Sequence, residues 1–258
     1  MSTRHLPGRH ELGQNLLTDV GTIRAVVELA AQTEGPLVEW AAGDGALTVP
    51  LAGLGRPVEA VELDPSMAAR LRRTVGPHVC ITEGDILRHA PPPTPHTLVS
   101  NVPFHLTTAV LRRLFPMGAW HTAILITQWE VARKRAGVGG ATQLTAQWWP
   151  WYDFELRRRI PSTAFSPRPS VDAGLLVIRR RPTPLLDDGR SAYQQWVWRV
   201  FTGRGRGIAD ILSRSGIPAA AARSWCAEQQ LASRTLPRDL TAEQWADLFR
   251  LRPGARTR

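Results

Sequence analysis

The sequence predicts an α/β protein in which a mostly parallel, doubly wound sheet ends in an antiparallel edge hairpin and is followed by a small, all-helical C-terminal domain. Five short β-rich segments alternate with helical patterns through the first half of the chain. Two further β-rich segments are joined by a proline-rich stretch without helical period, and only helical patterns come after them. Strands that alternate with helices favour a parallel sheet. The last two strands have no helix between them, which predicts an antiparallel pair at the sheet edge.

The helix after the second strand has a clear start at Asp64-Pro65, an N-cap acid followed by proline at the first helical position. Another helical pattern spans residues 107–115. The strand candidates are 37–40, 58–62, 79–82, 97–101 and 122–127, and the edge pair is 154–160 and 174–180.

A charged, proline-bearing segment at 179–184 predicts a domain boundary. We therefore assign residues 1–182 to a catalytic domain and 183–258 to a helical C-terminal domain. In the second domain, Thr241 and Gln244 have the spacing of a helix capping box. Its helical segments are 193–201, 208–215, 219–230 and 242–251.

The balance of charges indicates a polyanionic partner. The 258 residues carry a formal net charge of +10, and Lys134 is the one lysine. Codon bias in a GC-rich genome would explain arginine in place of lysine, but it would not explain ten excess positive charges. Arginine is also the better residue for forked contacts to phosphate, which favours a nucleic acid.

Other classes of protein are disfavoured by composition. No apolar stretch approaches the roughly 20 residues that span a bilayer, and residues 1–10 are polar and basic rather than a secretory signal. Cys80 and Cys226, the two cysteines, are too few for a disulfide framework or a cysteine-rich zinc site. We expect a cytoplasmic protein that has no membrane partner and binds no metal.

The first strand candidate runs into Glu39-Trp40-Ala41-Ala42-Gly43-Asp44-Gly45. A turn of small residues lets the backbone approach a ligand closely, although such turns also serve simply to pack a helix on a sheet. The acids Glu39 and Asp44 disfavour a pyrophosphate and suit the cationic sulfonium and ammonium groups of S-adenosylmethionine (SAM). We therefore predict SAM rather than NAD as the cofactor, bound at Glu39, Ala41, Gly43 and Gly45.

Acids also follow the next two strand candidates. Glu62 ends the second strand, where an acid can accept hydrogen bonds from both ribose hydroxyls of a nucleoside. Asp85 follows the third strand within Glu83-Gly84-Asp85, where it can accept a hydrogen bond from the adenine amino group of the cofactor. Gly-Asp is also common in surface turns. Asp85 is predicted to bind the cofactor because it is the third such segment in the expected order along the chain.

The most specific local signal is Asn101-Val102-Pro103-Phe104 at the end of the fourth strand. The exocyclic amine of adenine is a poor nucleophile because its lone pair is delocalised into the ring. The side-chain oxygen of Asn101 and the carbonyl of Val102, held ahead of Pro103, can accept hydrogen bonds from both its N–H groups. Phe104 offers a face for stacking a flipped base. Alone, this pattern favours a strand-ending turn with a buried phenylalanine, and its position after the three cofactor segments is what favours catalysis.

With these motifs in order, the chain resembles the rRNA adenine N(6)-methyltransferase superfamily, and within it the actinobacterial type of the Erm family of macrolide–lincosamide–streptogramin resistance enzymes. The resemblance covers most of residues 9–215 and implies a Rossmann-like SAM-dependent methyltransferase fold. It begins at Gly13-Gln14-Asn15-Leu16-Leu17, where Asn15 and Leu17 are the positions implied to touch the cofactor. The resemblance also implies that Glu62 binds the ribose and Asp85 the adenine of the cofactor.

Two stretches resemble Erm enzymes more than their housekeeping relatives, which dimethylate small-subunit rRNA. They are residues 128–135 and 165–172. Ala41 departs from the family pattern, which has glycine there, and we expect activity to survive if φ at Ala41 is negative. Phe104 replaces the commoner tyrosine and keeps its stacking face, and Leu16 replaces a phenylalanine.

The basic residues supply candidate phosphate contacts as a set, although any one of them is more often a solvated surface charge. Arg133, Lys134 and Arg135 follow the C-terminal end of a strand, the side on which doubly wound sheets bind ligands. The basic, glycine-rich segment 201–207, which we expect to be a flexible loop, is a second candidate. We assign RNA contacts to Arg112, Arg133, Lys134, Arg135, Arg168, Arg204 and Arg206.

The resemblance implies methyl transfer from SAM to N6 of one adenine in 23S rRNA, naked or in immature large subunits, by a monomeric enzyme that adds one or two methyl groups and confers resistance. Three alternatives remain open: a small-subunit rRNA dimethyltransferase, a non-catalytic RNA-binding factor of the same fold, and a DNA adenine methyltransferase. The intact Asn101–Phe104 motif argues against the second, and the N-terminal motif against the third.

Overall fold

The computed structural model describes residues 15–187 and 189–252. Gly13 and Gln14 of the N-terminal motif lie outside the described residues. The strands are β1 (Leu16–Leu17), β2 (Leu37–Trp40), β3 (Val58–Glu62), β4 (Val79–Glu83), β5 (His96–Asn101), β6 (Trp120–Gln128), β7 (Tyr152–Ile160), β8 (Phe165–Ser166) and β9 (Ala173–Arg180).

The helices of the first half alternate with the strands as the sequence predicts. Asp64 caps α3 by accepting hydrogen bonds from the backbone N–H groups of Ser66 and Met67, and Pro65 is its first residue. The helices are α1 (Val20–Ala31), α2 (Thr48–Ala52), α3 (Pro65–Thr74), α4 (Thr107–Leu114), α5 (Trp129–Arg135), α6 (Gln143–Trp148), α7 (Arg190–Thr202), α8 (Ile208–Arg214), α9 (Ala219–Glu228) and α10 (Ala242–Arg250).

Seven strands form one sheet in the order β4-β3-β2-β5-β6-β9-β7. Strands β2 to β6 pair in parallel, and β9 runs antiparallel to β6. The predicted fold class is confirmed: a parallel methyltransferase-type sheet with antiparallel strands at one edge, followed by a helical C-terminal region. Strand β2 lies inside the sheet, between β3 and β5, and is buried throughout, because it is covered on both faces.

A second sheet of two very short strands was not foreseen. Leu16 pairs with Ser166 and Leu17 with Phe165 in antiparallel register. The N–H groups of Thr18 and Asp19 then donate to the carbonyl of Ala164 at 2.8 and 3.2 Å. The pairing fastens the end of the N-terminal motif to the proline-rich segment that precedes β9.

The chain divides into two compact units, residues 1–132 with 155–179 and residues 133–154 with 180–258. The sequence predicts a boundary at 182/183, and the observed division differs because residues 133–154 group with the helical unit. The first unit contains β2–β6 and a core of aliphatic side chains between the sheet and its helices.

The second unit has an aromatic core. Trp196 and Trp245 lie edge to face with ring centroids 5.7 Å apart, and Tyr193 contacts Phe249 at 5.2 Å. The predicted capping box at the start of α10 is present, since Thr241 and Gln244 each bond the backbone N–H of the other. Within the described ranges, no helix is long and apolar enough to cross a membrane.

Candidate active site

A cleft of about 740 Å³, its open mouth included, lies where the carboxyl ends of four parallel strands meet. Strands β2 and β5 are hydrogen-bonded neighbours although β3 and β4 lie between them in the chain, so the strand order reverses here. Doubly wound sheets bind ligands at such a reversal. The lining comes from the ends of four strands and from the N-terminal motif: Ala41, Gly43, Glu62, Leu63, Asp85, Ile86, Asn101–Leu106, Asn15 and Leu16.

Ala41 opens the turn after β2 with φ of 59°, in the left-handed region. The negative φ on which the sequence analysis relied is therefore wrong. A left-handed conformation costs an alanine roughly 1–2 kcal/mol. The turn holds because the N–H of Ala42 donates to the carbonyl of Val61 at 3.1 Å and the N–H of Gly43 donates to Glu62 at 2.6 Å. Ala41 thus lines the cleft at a cost in backbone strain.

Gly43 and Gly45 also have positive φ, 60° and 93°. A Cβ on Gly43 would lie 3.1 Å from Cδ2 of Leu16, at the cleft wall. A Cβ on Gly45 would lie 2.5 Å from Cδ2 of Leu71, so this glycine lets α3 pack against the turn. Gly43 therefore lines the cleft, whereas Gly45, predicted to bind the cofactor, lies behind it.

Glu39 is 1% exposed within β2 and is not among the residues that line the cleft. Its Oε2 has no hydrogen-bond partner among the described residues. Burial is the main cause that raises the pKa of Glu39 to about 8, with smaller contributions from the carboxylates of Glu62 and Asp44. The structure does not bring Glu39 into the cleft, and a carboxyl that is neutral at pH 7 supplies no charge to a cationic ligand.

Glu62 does line the cleft, and it holds the neighbouring backbone. Its two carboxylate oxygens accept hydrogen bonds from the N–H groups of Gly43 at 2.6 Å and Asp64 at 2.9 Å. Burial raises the pKa of Glu62, while these hydrogen bonds oppose the rise. Because a carboxylate has about four acceptor positions, Glu62 keeps the capacity to bond two hydroxyl groups of a ligand.

Asp85 lies in a turn that its own oxygens close. Its Oδ1 accepts from the N–H of Leu87, and its carbonyl accepts from the N–H groups of Arg88 and His89, all at 2.8 Å. The bonds to Oδ1 and to the carbonyl fix the backbone of the turn. Oδ2 forms a long, exposed ion pair with Nε of Arg88 at 3.9 Å, and it accepts no short hydrogen bond among the described residues.

The side chain of His89 anchors this turn to the sheet. The Nε1 of Trp40 donates to Nδ1 of His89 at 3.2 Å, because an indole nitrogen can only donate. The hydrogen of the imidazole therefore lies on Nε2, which donates to Oε1 of Glu59 at 2.8 Å. The sequence offered no signal for this contact, which joins residues 49 and 30 positions apart along the chain.

Asn101 ends β5, and its side-chain Nδ2 donates to the backbone carbonyl of Asn15 at 2.8 Å. This bond orients the amide and leaves Oδ1 as its acceptor. The N–H of Val102 donates to the carbonyl of Ile126 in β6 at 3.0 Å. Pro103, at φ −53° and ψ 123°, follows at the start of a short 3-10 helix at Phe104–Leu106. The motif is therefore held by both neighbouring segments and lines the cleft.

The ring of Phe104 packs edge to face on Phe165, with centroids 6.3 Å apart. Phe165 is buried and pairs with Leu17 across the two short strands. Leu17, implied by the resemblance to touch the cofactor, is buried in the core of the first unit, and Leu16 lines the cleft in its place. The two leucines alternate because successive side chains of a strand point to opposite sides.

Several lining residues were not among the predicted site residues: Leu16, Leu63, Ile86, His105 and Leu106. Leu63 is 52% exposed beside two acids, Glu62 and Asp85. Because Leu63, Glu62 and Asp85 line the same cleft, it offers both apolar surface and hydrogen-bond acceptors to a ligand that joins a flat base to a hydroxylated sugar, as a nucleoside does. A neighbouring apolar residue after a strand-ending acid would have been the signal for Leu63 and for Ile86.

The residues present therefore fit SAM. Glu62 would hold the ribose hydroxyls and Asp85 the adenine amino group, with Leu63 and Ile86 beside the ring. The absent Cβ of Gly43 leaves room next to Leu16. The Asn101–Phe104 motif lines the same cleft, so a donor bound there would share it with the predicted acceptor site.

Of the predicted RNA contacts in the first unit, Arg112 and Arg168 are exposed. Arg112 lies in the last turn of α4. Arg168 donates from Nε to the hydroxyl of Ser162 at 2.9 Å. That serine in turn donates its N–H to Asp172, which also pairs with Arg159. Arg168 therefore projects from a segment whose shape is fixed by Asp172.

In the second unit, Lys134, Arg204 and Arg206 are exposed, whereas Arg133 and Arg135 are half-buried. Arg133 donates to the carbonyl of Val138 at 3.2 Å. Arg135 donates to the hydroxyl of Thr142, the N-cap of α6. Both arginines hold the loop that follows α5, so Lys134 is the member of the basic triplet that faces solvent.

The fold and the cleft together define a SAM-dependent methyltransferase. Residues 6–252 match the model of a family described as ribosomal RNA adenine dimethylase. The chain therefore belongs to the ribosomal RNA adenine dimethylase family, and its enzyme class is SAM-dependent rRNA (adenine-N(6)-)-methyltransferase.

Individual relatives agree. The chain is 50% identical over 253 residues to the mycinamicin-resistance protein MyrB of Micromonospora griseorubida, covering 97% of this chain and 81% of MyrB. It is 50% identical over 211 residues to an rRNA adenine N-6-methyltransferase of Corynebacterium diphtheriae, covering 81% and 83%. The crystal structure of the 23S rRNA methyltransferase ErmE aligns with a TM-score of 0.85 and 32% identity over 92% of this chain and 99% of that one.

Proposed function

We propose that the protein methylates N6 of one adenine in 23S rRNA and thereby confers resistance to macrolide, lincosamide and streptogramin B antibiotics. The observation that carries the reaction is the Asn101–Phe104 motif at the end of β5, inside the cleft that fits SAM. The RNA and the resistance are supported by the similarity to a mycinamicin-resistance protein and to a 23S rRNA methyltransferase.

Catalysis in this site is mainly positioning. SAM supplies a methyl group activated by its bond to a positively charged sulfur. Oδ1 of Asn101 and the carbonyl of Val102 accept hydrogen bonds from the two N–H groups of the target amine and hold its lone pair toward that methyl. With SAM bound, the amine nitrogen oriented by Asn101 and Val102 would take the methyl group as the sulfur–carbon bond breaks, and one amine proton would leave to water.

Phe104 holds the target base. Its ring rests edge-on against Phe165, which leaves it supported from the protein side. A flipped adenine stacked on Phe104 gains roughly 1–3 kcal/mol. The missing tyrosine hydroxyl leaves this contribution intact, since stacking uses the face of the ring.

A methylated adenine in the peptidyl-transferase region would block macrolides by steric bulk. We propose naked 23S rRNA or immature large subunits as the substrate, a monomeric enzyme and a cytoplasmic location. Phosphate contacts come from the exposed residues Arg112, Lys134, Arg168, Arg204 and Arg206.

The test is transfer of labelled methyl from SAM to naked 23S rRNA and, in parallel, to immature small subunits, followed by mapping of the modified base. We expect label on a single adenine of 23S rRNA, and raised macrolide tolerance in a susceptible host that expresses the gene. Label on the small subunit alone would contradict the proposed substrate, and label on neither would favour a non-catalytic RNA-binding role.

A further inference from the structure

Trp198 stands apart from the other tryptophans of the chain. All ten lie within the described residues, and Trp198 is 54% exposed while the other nine are buried or half-buried. It lies on α7 in the helical unit, and no described residue of that unit lines the cleft of the first unit. The other side of α7 forms the aromatic core of this unit. Trp198 points away from that core, and its exposed indole is available for contact with a partner.

The surroundings of Trp198 form a polar groove. Gln195 and Arg199 are exposed beside it, and Gln194 and Ser191 lie one and two turns earlier on the same face. Gln194 and Gln147 exchange hydrogen bonds between side chain and backbone at 3.0 and 3.3 Å, which fixes one wall. The lining holds no acidic residue, and α7 carries two arginines and no acid over its 13 residues.

The loop that directly follows α7 in the chain carries further positive charge. Arg204 and Arg206 are exposed, and the intervening glycines are positions of close packing. A Cβ on Gly205 would lie 2.8 Å from Cγ1 of Ile211, and a Cβ on Gly207 would lie 2.1 Å from the carbonyl oxygen of Ser233. The loop is therefore held in one shape with its arginines outward, rather than being the flexible segment that its composition suggests.

The chemistry of this surface suits a single-stranded nucleic acid. An indole face stacks on any base, side-chain amides bond to base edges, and guanidinium groups bond to phosphates. A protein partner would have to offer acids to the arginines and an apolar cap to one indole, whereas RNA offers both complements in each nucleotide. The net charge of +10 points the same way.

We propose that this surface, namely the groove at Trp198 with Arg199 and the loop 203–207, binds an unpaired nucleotide of the rRNA substrate other than the target adenine. Trp198 stacks on the base, and Arg199 and Arg204 contact the flanking phosphates. The proposal rests on the proposed function in that the RNA is the substrate of the enzyme.

The test measures the affinity of the full chain, without SAM, for a transcript of the 23S rRNA region around the peptidyl-transferase loop. We expect Trp198→Ala to weaken binding at least about fivefold, and Trp198→Phe to restore most of the loss because a smaller aromatic face remains. Arg204→Ala should weaken binding and lower the salt dependence, whereas the matched control Arg223→Ala, an exposed arginine on α9, should do neither.

A second readout locates the contact directly. Ultraviolet crosslinking of the parent protein to the transcript should leave a nucleotide on the tryptic peptide 191–199, and Trp198→Phe should reduce that yield. Unchanged affinity of Trp198→Ala in a parent that methylates 23S rRNA overturns the inference and leaves the proposed function standing. A change in sedimentation of Trp198→Ala with RNA affinity unchanged also overturns it, in favour of a protein contact.

Discussion

The side-chain amide of Asn101 donates a hydrogen bond to the backbone carbonyl of Asn15 across 2.8 Å. The two residues are 86 positions apart, and they belong to the two motifs that flank the cleft. The bond turns the amide so that its nitrogen faces the N-terminal motif and its oxygen remains as an acceptor. It therefore gives the N-terminal motif a second task, which is to orient the residue that we propose accepts the target amine.

Asn101→Ala should lower kcat at least about 100-fold, the usual effect of removing one positioned hydrogen-bonding group from an active site. RNA affinity should change little, because phosphate contacts dominate binding. Single-turnover methyl transfer and a binding titration check the two parts. A variant that keeps most of its kcat would show that Asn101 does not hold the amine.

Ala41→Gly should stabilise the protein by about 0.5–1 kcal/mol, because relief of left-handed strain outweighs the greater entropy of an unfolded glycine. Ala42→Gly is the matched control. Ala42 is buried and is not among the residues with positive φ, so its replacement should destabilise. Urea denaturation of both variants checks this, and methyl transfer by Ala41→Gly should persist. Destabilisation by Ala41→Gly would show that Ala41 is not strained by its left-handed backbone conformation.

Glu39→Gln should alter how stability depends on pH. The pKa of Glu39 is raised from 4.5 to about 8, so the folded chain keeps a proton that the unfolded chain releases between these values. The stabilisation from this group is complete below pH 4.5 and is lost as the pH rises through 8. The free energy of unfolding of the variant relative to the parent should therefore increase from pH 5.5 to 8.5. An equal pH dependence in the two proteins would show that Glu39 is ionised when folded.

His89→Ala should raise the KM for SAM several-fold and leave kcat at saturating SAM nearly unchanged, because the turn that carries Asp85 loses its anchor to Trp40 and Glu59. His89→Gln keeps a donor for Glu59 and should recover part of the loss. Steady-state kinetics with varied SAM separate the two constants. If kcat falls while KM stays constant, His89 does not act through cofactor binding.

Lys134→Ala should affect RNA binding, whereas Arg135→Ala should affect stability. Lys134 is exposed, so its loss should weaken RNA binding and lower the salt slope without a change in stability. Arg135 bonds the N-cap Thr142, so its loss should chiefly reduce the free energy of unfolding. Salt-dependent binding and denaturation of the two variants check this. The reverse pattern would assign the RNA contact to Arg135.

The sequence predicted the features that rest on local patterns. The strand ends that carry Glu62, Asp85 and Asn101 followed from alternating elements, because the carboxyl ends of parallel strands meet at one edge of a sheet. The N-cap at Asp64 and the capping box at Thr241 followed from spacing alone.

Features that depend on distant partners were not predictable. Strands β1 and β8 have two residues each, too few for a periodic signal, and their register decided that Leu16 rather than Leu17 lines the cleft. The positive φ of Ala41 broke the rule that alanine avoids that region, and the burial of Glu39 removed the charge that its residue type suggested. In each case tertiary packing overrode a local preference.

We propose above that adenine N6 in 23S rRNA is methylated at the Asn101 cleft. The most direct test is incubation of naked 23S rRNA with SAM and either the parent protein or Asn101→Ala, followed by digestion to nucleosides and identification of the methylated product. We expect N6-methylated adenosine from one site with the parent and almost none with the variant. A methyl group on another atom, or equal yields from both proteins, would contradict it.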